Sequence, residues 1–142
     1  MSAADPTAYL LDTNVVSEAT KRSSDRAVID FLRMLSSTHL SVITLAEIQS
    51  GISRNPNQSG RLSRWLSNAR KSCTSHAVTE EIAILAGQWH GELKSVGRSQ
   101  EFQDVMIGAT AHSLGMTLLT RNKKDFDEMR DKGLRVQDPW ES

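Results

Sequence analysis

Three short apolar runs punctuate the chain: Tyr9-Leu10-Leu11, His39 to Ile43 with its β-branched end, and Met116 to Thr120. Each is too short for a buried helix and reads as a strand. Between them apolar residues recur every three or four positions, the spacing of a helix with one face turned inward. The run Asp12-Thr13-Asn14 supplies capping chemistry for a first helix, and Ser23-Ser24-Asp25 opens a second that carries Val28, Ile29, Leu32 and Leu35. Leu45, Ile48 and Ile52 form a third stripe, for which Thr44 is the expected cap, and Leu62, Trp65, Leu66 and Ala69 form a fourth beyond the turn-rich break at 54–60. Further helices are predicted over 79–94, opened by Thr79-Glu80-Glu81, and over about 103–114, closed by Gly115 in the manner of an αL cap. Val136 marks a last strand.

Strands alternating with helices predict an α/β fold around a mainly parallel sheet. In such sheets ligands bind beyond the carboxyl ends of the strands. The polar residues that follow each strand are therefore the first candidates for chemistry.

Asp12 follows the first strand directly, within "LLDTNVVSE". It can cap the next helix or hold a cation at the sheet's edge; with Thr13 or Asn14 starting the helix, Asp12 is left to face the cation. A hard cation needs more oxygen ligands than one carboxylate provides. Asp104 lies in the first turn of its helix, just before the small-residue run Ile107-Gly108-Ala109-Thr110-Ala111, although an acid there also suits the helix dipole. Glu47 stands at the edge of the third apolar stripe, where its carboxylate either meets a partner or reaches solvent. Asn122 and Asp125 follow the Met116–Thr120 strand and add oxygens at a second strand end, or serve its turn.

Composition narrows the classes without choosing among them. The 142 residues suit one domain spanning 1–142, and the 17 basic and 17 acidic residues cancel, so no net charge announces a nucleic-acid or membrane partner. A basic rim around an acidic pocket would also cancel in the sum. The single Cys73 forms no intrachain disulfide and no multi-cysteine zinc site, which suits a reducing compartment. The start of the chain, Met1 to Pro6, shows no leader pattern, and no apolar run approaches the roughly 20 residues of a membrane span, so a cytoplasmic location is expected. His39, His76, His90 and His112 lack metal-ligand spacing, no glycine-rich phosphate loop occurs, and Ser17 lacks a nucleophile elbow. A dehalogenase-type phosphatase would need a second Asp where Asn14 stands.

The segments "LLDTNVVSE", "TLAEIQSG", "DVMIGATAHSLGMTLLTRNKKDF" and "VQDPWES", in that order over nearly the whole chain, strongly resemble the PIN-domain ribonucleases. Among these the chain is most similar to the VapC toxins of toxin-antitoxin pairs, including the FitB-like branch. The resemblance implies a three-layer α/β/α fold and RNA cleavage at an acidic cluster that holds Mg²⁺ or Mn²⁺. Carried over by position, Asp12, Glu47 and Asp104 are the catalytic and metal-binding acids. Thr13 and Asn14 would orient Asp12, Thr110 and Thr120 would line the pocket, and Asp125 would assist through a water. Asn122 departs from the family, many members of which have Asp there, and bears on whether a second metal binds. Arg98, Arg121 and Lys123 are the candidate contacts to the RNA backbone, within a basic rim that also includes Lys21, Arg22, Lys94 and Lys124. The resemblance further implies a VapB-type antitoxin, whose tail lies in a groove formed by the early helices, and a homodimer. The alternative is a PIN-like module that has lost catalysis and binds RNA or protein.

Overall fold

The computed structural model describes residues 8–141, so the Met1–Pro6 stretch read above for a leader lies outside the described residues. Five strands, β1 (Tyr9–Leu11), β2 (His39–Ser41), β3 (Thr74–His76), β4 (Thr117–Leu119) and β5 (Val136–Gln137), pair in parallel in the order β3-β2-β1-β4-β5. Helices α1 (Thr13–Ala19), α2 (Arg26–Arg33), α3 (Val42–Arg54), α4 (Gly60–Ser72), α5 (Glu80–Ser95), α6 (Phe102–Ser113) and α7 (Asp127–Arg130) connect them, with short 3-10 turns at Pro56–Gln58, Lys123–Phe126 and Pro139–Glu141. The three-layer α/β/α sandwich expected from the resemblance is the fold observed.

Alternation along β1 and β4 builds the layers. Leu10 and Leu118, paired in register, turn to one face and meet Ile82, Ala86, Trp89 and Leu93 of α5 and Val105, Ile107, Ala109 and Ala111 of α6. Leu11 and Leu119, the next pair, turn to the other face and meet Val15, Val16, Val28, Phe31, Ile48 and Ala69. Successive strand residues point to opposite faces, so two adjacent leucines serve two cores. Buried on both sides, the central strands read as apolar runs rather than alternating ones.

The helix joining the α5–α6 pair to β4 ends as its sequence predicts. Gly115 takes φ +68°, its N–H reaches His112 O at 3.2 Å, and Met116 N reaches Ala111 O at 2.9 Å, the paired bonds of a Schellman ending. Within α6, Gly108 lets the helix approach the α7 segment. A Cβ there would stand 2.7 Å from Met129 Sδ, and Met129 is fully buried.

Three local expectations are corrected. The second strand ends at Ser41 rather than Ile43, because Ser41, not Thr44, caps α3: its Oγ accepts from Ile43 N at 3.0 Å. Thr44 lies inside the first turn, buried, with an Oγ1 that has no hydrogen-bond partner among the described residues. The edge strand β3 was hidden by its sequence, Thr-Ser-His, which carries no apolar signal because Thr74 and Ser75 face solvent. Leu35 falls beyond the end of α2.

Candidate active site

The carboxyl ends of β1 and β4 meet at Asp12 and Thr120. Asp12 is 6% exposed and accepts hydrogen bonds at both carboxylate oxygens. Its Oδ1 accepts from Thr13 N at 2.8 Å, which makes it the N-cap of α1, and its Oδ2 accepts from Asn14 Nδ2 at 3.1 Å and from Thr120 Oγ1 at 2.7 Å. The helix starts at Thr13, one of the two expected positions, but the expectation that Asp12 is thereby freed from capping is corrected. Asp12 does the capping itself, with one oxygen, because it is the single residue between the strand and the helix.

The other candidates gather around it. Asn14 bridges both strand ends, since its Nδ2 also donates to Thr120 Oγ1 at 3.2 Å and its Oδ1 accepts from Arg121 N at 3.1 Å. Thr13 Oγ1 donates to Glu47 Oε1 at 2.8 Å, tying the first turn of α1 to α3. Asp104, in the first turn of α6, faces the same cleft of about 450 Å³, together with Asp12, Thr13, Asn14, Glu47, Asn122 and Asp125. Lys21, Arg121 and Trp140 stand on its rim. Four elements far apart in sequence therefore bring the predicted acids to one cleft. A larger hollow of about 560 Å³, bounded by Asp127, Arg130, Asp131, Leu134, Arg135 and Val136, contains none of them.

Charge in the cleft is costly, and the carboxyl groups register it. Burial raises the pKa of Asp12, against hydrogen bonds from Thr120, Thr13 and Asn14 that favour its charged form. Burial likewise raises Glu47, opposed by the Thr13 hydroxyl and reinforced by the charge of Asp12. Asp104 rises from 3.8 to about 6, through burial first and then through the negative charges of Asp12, Glu47, Asp125 and Glu101. Unlike Asp12, it has no hydrogen bond among the described residues to offset the loss of water. A positive charge in the cleft would offset these shifts. Among the described residues no three Asp, Glu, His or Cys side chains converge tightly enough to seat an ion by themselves.

The remaining expected contributors fall in different places. Thr110 is buried and returns its hydroxyl to Met106 O at 2.7 Å, away from the cleft lining. Arg98 pairs with Glu128 at 2.9 Å, and Lys123 pairs with Glu141 at 2.9 Å. Arg121 makes no ion pair among the described residues; its guanidinium lies over the Trp140 ring, 4.9 Å from the centroid. Trp140 was not among the sequence candidates. Its only signal was its position within "VQDPWES".

Two further hollows share residues with the cleft. Through Glu47 it adjoins a hollow of about 390 Å³ lined by Ile43, Ala46, Ser50, Arg54 and Gln103, and through Arg121, Asn122 and Asp125 another of about 380 Å³ that includes Lys123 and Lys124.

Comparison with known proteins gives these positions a context. Residues 9–132 match the PIN domain family. The plasmid stability protein StbB of Pseudomonas syringae pv. tomato is 30% identical, over 94% of this chain and 99% of its own length. The VapC ribonuclease Y4jK of Sinorhizobium fredii is also 30% identical, over 93% of this chain and 97% of its own. Among solved structures, VapBC-1 from nontypeable Haemophilus influenzae superposes with a TM-score of 0.77 at 27% identity, covering 96% of this chain and 100% of that one.

Proposed function

Because the chain belongs to the PIN-domain family and, within it, to the VapC proteins, we propose that it is an endoribonuclease acting as the toxin of a toxin-antitoxin pair. The observation that carries the chemistry is the meeting of Asp12, Glu47 and Asp104 in one cleft at the carboxyl end of the sheet, each with a raised pKa. A serine or cysteine nucleophile is absent from the lining apart from Ser17, which has no base bonded to it among the described residues. Water is the nucleophile that remains.

The donor set fits Mg²⁺ or Mn²⁺. Every candidate ligand is a hard oxygen, and Mg²⁺ commonly takes only one or two carboxylates while keeping several waters, which suits a cleft whose acids stand apart. When bound, such an ion would supply a water of lowered pKa and shield charge on the phosphate. Asp12 and Asp104 would hold it, with Glu47 completing the acidic set. Thr120 and Asn14 keep Asp12 oriented, Thr13 keeps Glu47 oriented, and Asn122 brings an oxygen without a charge. Attack of water on phosphorus with departure of the 3′ oxygen leaves a 5′-phosphate and a 3′-hydroxyl. The two hollows that adjoin the cleft suit an extended single strand cut internally.

A VapB-type antitoxin is the partner this reading requires. The α3–α4 pair, with Leu45, Ile52, Leu62, Trp65 and Leu66 only partly buried and Arg61, Arg64, Arg70 and Lys71 beside them, suits an antitoxin tail. The reading also places the protein in the cytoplasm as a homodimer; no helix among the described residues is long and apolar enough to cross a membrane. The test is cleavage of total RNA by purified protein with Mg²⁺ and with a chelator. Cleavage lost with chelator and in Asp12→Ala and Asp104→Ala is expected; full activity in either variant would overturn the assignment.

A further inference from the structure

Trp140 is packed against the second core and also lines the cleft. The 3-10 turn Pro139–Glu141 lies against α2, and Pro139 is buried. Asp138 Oδ1 accepts from Trp140 N at 2.8 Å, and Glu141 is tied to Lys123 at 2.9 Å. The indole leans on the Leu11–Phe31–Leu119 core and still reaches the cleft. Its ring is therefore held in place before any ligand arrives.

Arg121 completes the arrangement. Its backbone is fixed by Asn14 Oδ1, the same Asn14 that donates to Asp12, so its position is tied to the acidic centre. Its side chain is exposed, lies over the indole and has no acidic partner within ion-pair distance among the described residues. A guanidinium stacked on an aromatic ring is planar, weakly hydrated and pre-ordered, and its outer face can take a further flat π-system. Unpaired nucleobases present such a surface, and proteins that bind single strands take them on aromatic or arginine planes.

We infer that Arg121 and Trp140 form a stacking platform for one unpaired nucleobase beside the scissile phosphate. The inference rests on the ribonuclease reading for the word scissile, but the base contact itself is a binding property. The pair positions substrate and takes no part in bond cleavage.

The test uses a single-stranded RNA that the full chain cleaves and a series of the same RNA with one abasic nucleotide at successive positions. Trp140→Ala should raise KM about tenfold, the size of one lost base stack, with kcat changed by less than about threefold. Trp140→Phe should recover most of the loss. One abasic position should cost the native protein a similar factor and cost Trp140→Ala nothing more. Arg121→Lys, an exposed change that keeps the charge, should resemble Trp140→Ala and carries the test if the tryptophan variant folds poorly. Anisotropy of the labelled RNA with the Asp104→Asn protein, with and without Arg121→Lys, reads the same contact without cleavage. A native protein that cuts no RNA but shows the anisotropy difference would fail the catalytic proposal and keep this one. Equal KM in all variants, a fall in kcat alone, or identical abasic penalties in native and Trp140→Ala proteins would overturn it.

Discussion

Thr120 and Asp12, 108 positions apart, are joined by a 2.7 Å hydrogen bond from the Thr120 hydroxyl to Asp12 Oδ2 at the meeting of two parallel strands. The same hydroxyl oxygen accepts from Asn14 Nδ2 at 3.2 Å and from Asn122 N at 3.1 Å. Thr120→Val should thus remove three hydrogen bonds at once, leaving Asn122 N without this partner while Asp12 and Asn14 keep the bond between them. A loss of about 1 to 3 kcal/mol in stability is expected, measured by urea unfolding. Activity should fall about 10- to 100-fold, as for other groups that orient a metal ligand, while Thr120→Ser retains both.

Asp104→Asn separates chemistry from folding. It removes the charge most opposed by its surroundings and should abolish cleavage, while the melting temperature of the metal-free protein stays equal to that of the native chain or rises. A large drop in melting temperature would show that the carboxylate is held for stability instead.

The raised acids set the sign of the pH dependence. Asp104 titrates near 6 in the fold and near 3.8 otherwise, so its contribution to stability is full below about 4 and is lost as pH rises through 6. Asp12 and Glu47 are shifted in the same direction. In the presence of a chelator, thermal melting should therefore move to lower temperature between pH 5 and pH 7.5, and Asp104→Asn should flatten that slope. Mg²⁺ should raise the melting temperature more at pH 7.5 than at pH 5, because binding competes with protons.

Gly108→Ala probes the packing behind the site. The added methyl would stand 2.7 Å from Met129 Sδ and 3.3 Å from Leu134 Cδ2, and both residues are buried. The expected cost is about 1 to 3 kcal/mol by chemical denaturation. Cleavage measured at low temperature should persist, since Asp104 lies on the preceding turn of α6.

Much of this was legible in the sequence, for specific reasons. Leu10–Leu11 and Leu118–Leu119 are buried on opposite faces of the sheet and stand out as apolar pairs, and Thr79 and Asp25 cap α5 and α2 where their side-chain chemistry predicts. Asp12, Glu47 and Asp104 were each ambiguous alone and became a set only through motif order, because no local spacing brings three elements to one cleft. The hidden features depend on context that a local pattern does not carry. β3 is a polar edge held by Thr74 N to Thr38 O at 2.9 Å, Ser41 caps a helix that begins the moment its strand stops, and Trp140 reads as an ordinary terminal aromatic until Arg121 is seen above it.

The strands of this sheet are two or three residues long, so the ladder alone supplies few bonds between β1 and β4. What closes that seam at its carboxyl end is Asp12 N to Leu119 O at 2.9 Å, Arg121 N to Asn14 Oδ1 at 3.1 Å and the Thr120–Asp12 contact. The acidic centre is in this sense the clasp of the sheet. Fraying there would scatter the proposed metal ligands before the cores on either side had opened, so amide exchange at Asp12 and Arg121 should track inactivation more closely than global unfolding does. A substitution at the clasp is read twice, once in turnover and once in the lifetime of the folded chain.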